Sequence, residues 1–208
     1  MVRQSMTHQR IRIFQSDFWE RTTFIHPIVP LIMWVPVIAA LIYRSFGVHS
    51  LSLFTFSVMA LLGVLVWTLM EYVLHRFAFH FEAKGPFGKR IVYIMHGLHH
   101  DDANDPMRLV MPPVPALIYA ASLFLIFRVF LGARQIEAFF AFFLIGYLAY
   151  DYIHYYVHHF APKNPVGKYL KHFHMVHHYS KEGANWGVSS PLWDYVFGSL
   201  EKKRVSSR

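Results

Sequence analysis

The sequence predicts an all-α integral membrane protein whose chain crosses the bilayer four times, as two hairpins. Three observations carry this. Four apolar stretches, at residues 24–43, 51–74, 112–131 and 136–157, are each about 20 residues or longer, the length a helix needs to cross about 30 Å of hydrocarbon. Charged residues make up only 15% of the 208-residue chain, against about 25% in a soluble domain, so much of the surface is expected to face lipid. The connections alternate between very short and long, the pattern of hairpins joined on one side of a membrane.

The residues before the first span, 1–23, are polar and basic and carry no cleavage-site pattern, so a signal peptide is not expected. Within them Ile11, Phe14 and Phe18 fall at helical spacing among Arg10, Arg12 and Arg21, which fits a short helix on the membrane surface. The first span holds Pro27, Pro30 and Pro36 and is expected to be kinked or tilted. Residues 44–50 join it tightly to the second span, and residues 132–135 join the third to the fourth. Of the 20 Lys and Arg, 17 lie in residues 1–23, 75–111 and 158–208; the others are Arg44, Arg128 and Arg134. By the positive-inside rule, the long segments and both termini are cytoplasmic.

A formal net charge of +8 suits either nucleic acid or an anionic membrane surface. With 55% hydrophobic residues the membrane is the expected partner, and nucleic acid is not. The absence of Cys excludes disulfides, thiolate metal sites and Cys nucleophiles.

The 15 His are the most informative residues. A hairpin ending in His75 and His80 is followed by Pro86-Phe87-Gly88-Lys89 and then His96, His99 and His100. A second hairpin ending in His154 and His158 is followed by Pro165-Val166-Gly167-Lys168 and then His174, His177 and His178. Corresponding His are offset by 79, 78, 78, 78 and 78 residues. The chain is therefore expected to be one domain, 1–208, containing two pseudo-repeats at about 51–110 and 130–190. Two five-imidazole sets, one from each half, are expected to meet as a single bimetallic pocket. Residues at i, i+3 and i+4 share a helix face, so His96, His99 and His100 converge, as do His174, His177 and His178, and His154 with His158. His75 and His80 break the rule: either the helix unwinds after His75, or the two rings approach from different sides.

Neutral imidazole is the commonest side-chain metal ligand, and ten exceed the capacity of one ion. A neutral nitrogen shell suits Zn, Fe, Cu or Ni. Zn is redox-inert and satisfied by four ligands. Iron can activate O2 beside a bilayer that delivers lipid, so two iron ions are expected, with Zn able to substitute in a purified protein. Glu71 and Asp151, each one turn before a clustered His, and Asp194 in the tail are the candidates to orient the rings. Asp151 is the foremost of these, because an acid at the end of an apolar span is expensive. Asp101 and Asp102 read as a solvated turn, with Asp105 just beyond. Tyr147 and Tyr150, within two turns of His154, are candidates to line an acyl channel; Phe139, Phe140, Phe142 and Phe143 read as lipid-facing or packing residues. His159 and His172 point away from the clusters on a helix, and His8, His26 and His49 receive no role.

These motifs resemble the fatty acid hydroxylase (sterol desaturase-related) superfamily: His75-x4-His80, His96-x2-His99-His100, His154-x3-His158 and His174-x2-His177-His178. The flanks resemble the fatty acid 2-hydroxylase branch: Glu71-Tyr-Val-Leu-His75-Arg76, Tyr150-Asp151-Tyr-Ile-His154-Tyr155 and Gly187-Val188-Ser189-Ser190-Pro-Leu-Trp193-Asp194. The resemblance covers about residues 50–200. It implies four transmembrane helices under a cytosolic cap, the ten named His as ligands of two irons, and hydroxylation at C2 of a long acyl chain, free or in a sphingolipid. It also implies O2 as oxidant and no side-chain nucleophile. Several members of the superfamily carry an N-terminal cytochrome b5 domain, whereas this chain has no His-Pro-Gly-Gly motif, only His26-Pro27. Electrons are therefore expected from a separate protein of cytochrome b5 or ferredoxin type. The short loops and missing haem motif point to a bacterial inner membrane rather than the endoplasmic reticulum.

Two rivals share features with this reading. Sterol, carotenoid and alkyl-lipid oxidases use the same His pattern. A metal transporter would place its site near the midplane on broken helices, whereas these His gather at one interface.

Overall fold

The computed structural model describes residues 10–180 and 183–201, so His8 lies outside the described residues. Among these residues the regular elements are all helical. They are α1 (Asp17–Arg21), α2 (Val29–Gly47), α3 (Leu53–Val73), α4 (Pro86–Val92), α5 (Leu98–Asp101), α6 (Pro113–His159), α7 (Pro165–Tyr179) and α8 (Leu192–Phe197). Two π-helical segments intervene, Leu74–Phe79 after α3 and Tyr93–Gly97 between α4 and α5.

Three helical runs are long and apolar enough to cross a membrane: α2, Leu53–Phe79 and α6. The third and fourth predicted stretches share α6, an element of 47 residues. Its backbone is non-helical at Gly132, where φ is 72° and ψ is 177°, and there the chain folds back on itself. The Phe127 ring lies 5.0 Å from Phe139 and 5.4 Å from Phe143, and Phe124 lies 5.2 Å from Phe140. Along an unbroken helix, residues so far apart in sequence would be separated by about 18–24 Å. The hairpin expected over residues 132–135 is thus turned at a single residue, in a conformation that glycine adopts without steric cost.

The core lies between α2, α3 and the second limb of α6. Trp67 of α3 packs edge-on against Phe143 at 5.1 Å and Tyr147 at 5.2 Å, and Trp34 of α2 reaches Tyr147 at 6.4 Å. Gly63 lets the α3 backbone approach α6 closely, because a Cβ there would collide with the Phe139 carbonyl and the Phe143 amide. Phe139, Phe140 and Phe143, expected to face lipid or to pack, are buried packing residues. Large apolar side chains elsewhere stand outward, among them Phe54, Leu61, Val129 and Phe130, as a lipid-facing surface requires.

The end of the bundle remote from the clustered His is clasped by one buried acid. Arg44 donates from Nε and Nη2 to Glu137 at 3.0 and 2.8 Å, and His49 Nε2 lies 3.3 Å from the same carboxylate. His49, given no role from sequence, therefore helps tie the first hairpin to the second.

The N-terminal residues depart from the expected surface helix. Only five residues are helical in α1, which includes Phe18 but neither Ile11 nor Phe14. The rest forms a strap held by polar contacts. Glu20 is buried, accepts the Ile13 and Phe14 amides at 3.0 and 2.8 Å, and pairs with Arg108. Arg10 pairs with Asp105 at 3.2 Å, and Ile25 donates to the Met107 carbonyl at 2.7 Å. These local partners outweigh the weak helical pattern of the segment.

Candidate metal centre

Each clustered His is placed by a local feature of its helix. His75 and His80 are five residues apart, and the π-helical segment Leu74–Phe79 resolves their spacing. A π turn closes i to i+5, so both rings come to one side, 5.2 Å apart between centroids. Of the two alternatives the spacing left open, unwinding after His75 or approach from different sides, the structure takes neither as stated: the helix widens and stays helical. His96 lies in the second π segment. In each His-x2-His-His motif, the first and last rings stay together one turn apart. Nε2 of His96 is 3.0 Å from that of His100, and Nε2 of His174 is 3.0 Å from that of His178.

Ten ring nitrogens gather into two groups. The first holds His75, His80, His96, His100 and His177; the second holds His99, His154, His158, His174 and His178. Within each group the ligand atoms lie within 4.8 Å of one another. The ten rings are those the sequence singled out, but they are not divided one set per half. Each group takes four rings from one half and one from the other: His177 crosses to the first, and His99 to the second. Consecutive residues on a helix point about 100° apart, so the adjacent pairs His99–His100 and His177–His178 each straddle both groups. The His100 and His178 rings stack where the groups meet, 4.2 Å apart at 25°.

The electrostatics suit cations. Burial holds His96, His99 and His174 well below the usual imidazole range. Burial also lowers His80 to about 4 and His177 to about 3, the latter against the opposing pull of the Ala184 carbonyl. The rings are therefore neutral and offer lone pairs. His80 Nε2, His99 Nε2 and both nitrogens of His154 are buried without a hydrogen-bond partner. Elsewhere nitrogens crowd, as Nε2 of His158 and His174 do at 2.8 Å. Buried orphan nitrogens facing one another are costly alone and favourable around a metal ion, so the residues fit the metal that the sequence predicts.

Two rings are fixed by a single backbone segment. His75 Nδ1 donates to the Trp186 carbonyl at 2.5 Å, and His177 Nδ1 donates to the Ala184 carbonyl at 3.0 Å. Each Nε2 is thereby left with its lone pair directed at the first group. The segment is clipped in place by two acids. Glu71 accepts from the Val188 amide at 2.6 Å, the Ser189 amide at 2.8 Å and Ser189 Oγ at 2.5 Å. Asp194 accepts from the Trp186 and Gly187 amides at 2.8 and 2.7 Å and from Ser199 Oγ at 2.8 Å. Glu71 and Asp194 therefore reach the rings through carbonyls, not directly. Sequence reasoning missed residues 184–190 as orienting groups, although Gly187-Val188-Ser189-Ser190 stands in the branch-like flank, because carbonyls leave no residue signature.

The other predicted residues are placed as follows. Asp151 is buried one turn before His154, and among the described residues no hydrogen bond joins it to a ring. Asp105 is buried but serves the strap, through Arg10 and the Met107 amide. Tyr150 lies 5.6 Å from the His154 ring, and Tyr147 sits one turn deeper against Trp67. His159 lies tilted against Tyr155 at 4.4 Å, outside both groups, and His172 is exposed. Trp186 covers the first group, 4.9 Å from His80 and 5.2 Å from His177.

Comparison with known proteins gives one consistent answer. Residues 60–199 match the family model described as fatty acid hydroxylase. The chain is 40% identical over 195 residues to dihydroceramide fatty acyl 2-hydroxylase FAH1 of Arabidopsis thaliana, spanning 93% of this chain and 81% of that protein. It is 34% identical over 226 residues to fatty acid 2-hydroxylase of Homo sapiens, spanning 98% of this chain and 60% of that protein. The solved structure of full-length scs7p, in which only the hydroxylase domain is visible, superposes with a TM-score of 0.83 at 33% identity. That match covers 91% of this chain and 72% of the other.

Proposed function

The chain belongs to the fatty acid hydroxylase family, and from that premise we propose that it hydroxylates C2 of a long acyl chain, free or in a sphingolipid. It is an oxidoreductase of hydroxylating type. The reaction places one atom of O2 in the C–H bond beside the carbonyl and reduces the other to water, with two electrons and two protons from outside. The observation that carries the reading is the gathering of ten neutral rings into two groups with ligand atoms within 4.8 Å.

His75, His80, His96, His100 and His177 would hold one iron, and His99, His154, His158, His174 and His178 the other. Iron so held supplies the activation of O2; Zn fits the same nitrogens but has no redox chemistry. The chain's own groups orient and shield. The clip of residues 184–190 fixes the tautomers of His75 and His177. Trp186, and Phe79 stacked on His96 at 5.3 Å, exclude water from the first group. Asp151 keeps an acceptor near His154, and Tyr147 and Tyr150 line the approach of the acyl chain from the bundle.

The apolar helices fit a membrane protein. We read α2, Leu53–Phe79 and the two limbs of α6 as four crossings, a count supported by the reversal at Gly132, with the His end and the termini cytoplasmic. We read the chain as one domain of two pseudo-repeats, which the reciprocal exchange of His99 and His177 supports. Electrons come from a separate cytochrome b5- or ferredoxin-type protein. The relatives come from plants, mammals and yeasts, which lends the bacterial expectation no support. The test is mass spectrometry of lipids from cells with and without the gene. We expect 2-hydroxy acyl chains only with the gene, and none with His177→Ala. Product surviving the loss of several rings would refute the mechanism.

A further inference from the structure

The segment that leaves each hairpin recurs beyond what the metal centre uses. His80-Phe81-x2-Lys84-x-Pro86-x-Gly88-Lys89 is matched, at a constant offset of 79, by His159-Phe160-x2-Lys163-x-Pro165-x-Gly167-Lys168. Of these, only His80 belongs to a ring group. The structure turns the large apolar side chains and the lysines of both copies outward, while His159 is half-buried. Phe81 is 60% exposed and Phe87 77%; Phe160 is 53% exposed and Val166 68%. Lys84, Lys89, Lys163 and Lys168 are exposed between and beside them. Single exposed apolar residues need no explanation; a duplicated set of two apolar and two cationic side chains does.

Their level in the molecule follows from the fold. The Arg44–Glu137–His49 clasp places the start of α3 and the start of the second α6 limb at one end of the bundle. The two helices therefore run in parallel and finish together at the His groups. Phe81 follows the run Leu53–Phe79 by two residues, and Phe160 directly follows α6. The first linker also continues an apolar exterior, since Phe77, near the end of its run, is 58% exposed. Both linkers thus emerge at one height, where an apolar exterior gives way to polar surface.

We propose that residues 81–89 and 160–168 are paired membrane-surface anchors. Phe81, Phe87, Phe160 and Val166 enter the boundary between acyl chains and headgroups, while the four lysines bind the phosphates of anionic lipid. The pair fixes the height of the His groups above the bilayer. The proposal rests on the membrane-spanning part of the functional reading and not on hydroxylation.

The absence of Cys makes the test direct, because an introduced Cys is the sole labelling site. Spin-labelled Phe87→Cys, Val166→Cys and Tyr179→Cys proteins, each retaining wild-type metal content, are placed in nanodiscs of neutral lipid or of neutral lipid with phosphatidylglycerol. Collision with O2 and with a water-soluble nickel chelate reports depth. We expect both linker labels to favour O2 over the chelate, at about 5–10 Å below the headgroups, and the Tyr179 label to favour the chelate. In Lys84→Gln/Lys89→Gln/Lys163→Gln/Lys168→Gln protein, the added depth in phosphatidylglycerol should disappear. Chelate-rich readings at both linkers overturn the proposal. So does an equal depth at Tyr179, which would assign depth to the whole cap, or linker labels shielded only when an acidic electron-transfer protein is added. The readings need no turnover, so failure of hydroxylation with deep linker labels would count against the enzyme reading alone.

Discussion

Replacing Glu71 with Leu should release one of the two proposed metal ions. The carboxylate is buried and accepts three hydrogen bonds, two of them from the amides of Val188 and Ser189. Leucine has similar bulk and no acceptor, so both amides lose their partner. Each unpaired buried group costs about 1–3 kcal/mol, together about 2–6 kcal/mol. Losing an orienting contact typically costs 10–100-fold in metal affinity, or about 1.4–2.8 kcal/mol, so losing two costs about 2.8–5.6 kcal/mol. Detaching residues 184–190 so that their amides reach water is therefore comparable in cost to leaving them buried and unpaired. Detachment withdraws the Trp186 and Ala184 carbonyls from His75 and His177, both in the first group. The assay is metal per chain by mass spectrometry across a series of chelator concentrations. In Glu71→Leu, one ion should leave at chelator lower than in wild type by about 10-fold, if one carbonyl withdraws, to about 10,000-fold, if both do, with the second ion retained. Glu71→Gln should keep both, since its amide oxygen can accept the same two amides and its nitrogen can donate to Ser189 Oγ. Wild-type resistance in the Leu variant would refute the reasoning, as would simultaneous loss of both ions at the outset.

Three further outcomes follow from the geometry. His99→Ala should empty the group formed mostly by the second half, and His177→Ala the group formed mostly by the first, each seen as the position of the remaining ion in an anomalous difference map. Metal-depleted protein should lose stability as pH falls. Burial holds His80 at about 4 and His177 at about 3 in the folded chain, against about 6.5 when unfolded. The unfolded state therefore binds more protons between these values, and stability that is full above about pH 6.5 should decline toward pH 3 in thermal melts in detergent. Gly132→Ala forces a side chain into φ 72° and should cost about 1–3 kcal/mol, read as a lower melting midpoint with two ions still bound per folded chain.

Much of the site was legible because imidazole spacing is written in the chain. All ten grouped rings carry the repeat, and their i, i+4 pairs survive intact, as His96–His100 and His174–His178 show. What could not be read is geometry that spacing leaves open. The spacing places His99 and His100 on one broad side of the helix with His96, but only the packing of the two halves decides which group each joins. The offset of five from His75 to His80 left open whether the helix unwinds or the rings approach from different sides, and did not say that a π segment brings them together. Glu71, one turn before His75, and Asp194 in the tail were identifiable as candidates to orient the rings, but not the carbonyls through which they act. Gly132 stood at the head of an expected loop whose work one residue performs. The strap misled because three apolar residues at helical spacing say nothing of Glu20 and Arg108, which bind the segment as coil.

The crossing of His99 and His177 makes the two hairpins mutually dependent. A polypeptide severed between α5 and α6 would leave each fragment lacking one nitrogen donor for its principal ion and holding one stranded donor for the other. Neither piece could be a smaller working version of the whole, whatever its own helices did. Mixed together, the fragments would regain complete coordination only by docking in the native pose, so metal capture would report correct assembly of the bundle.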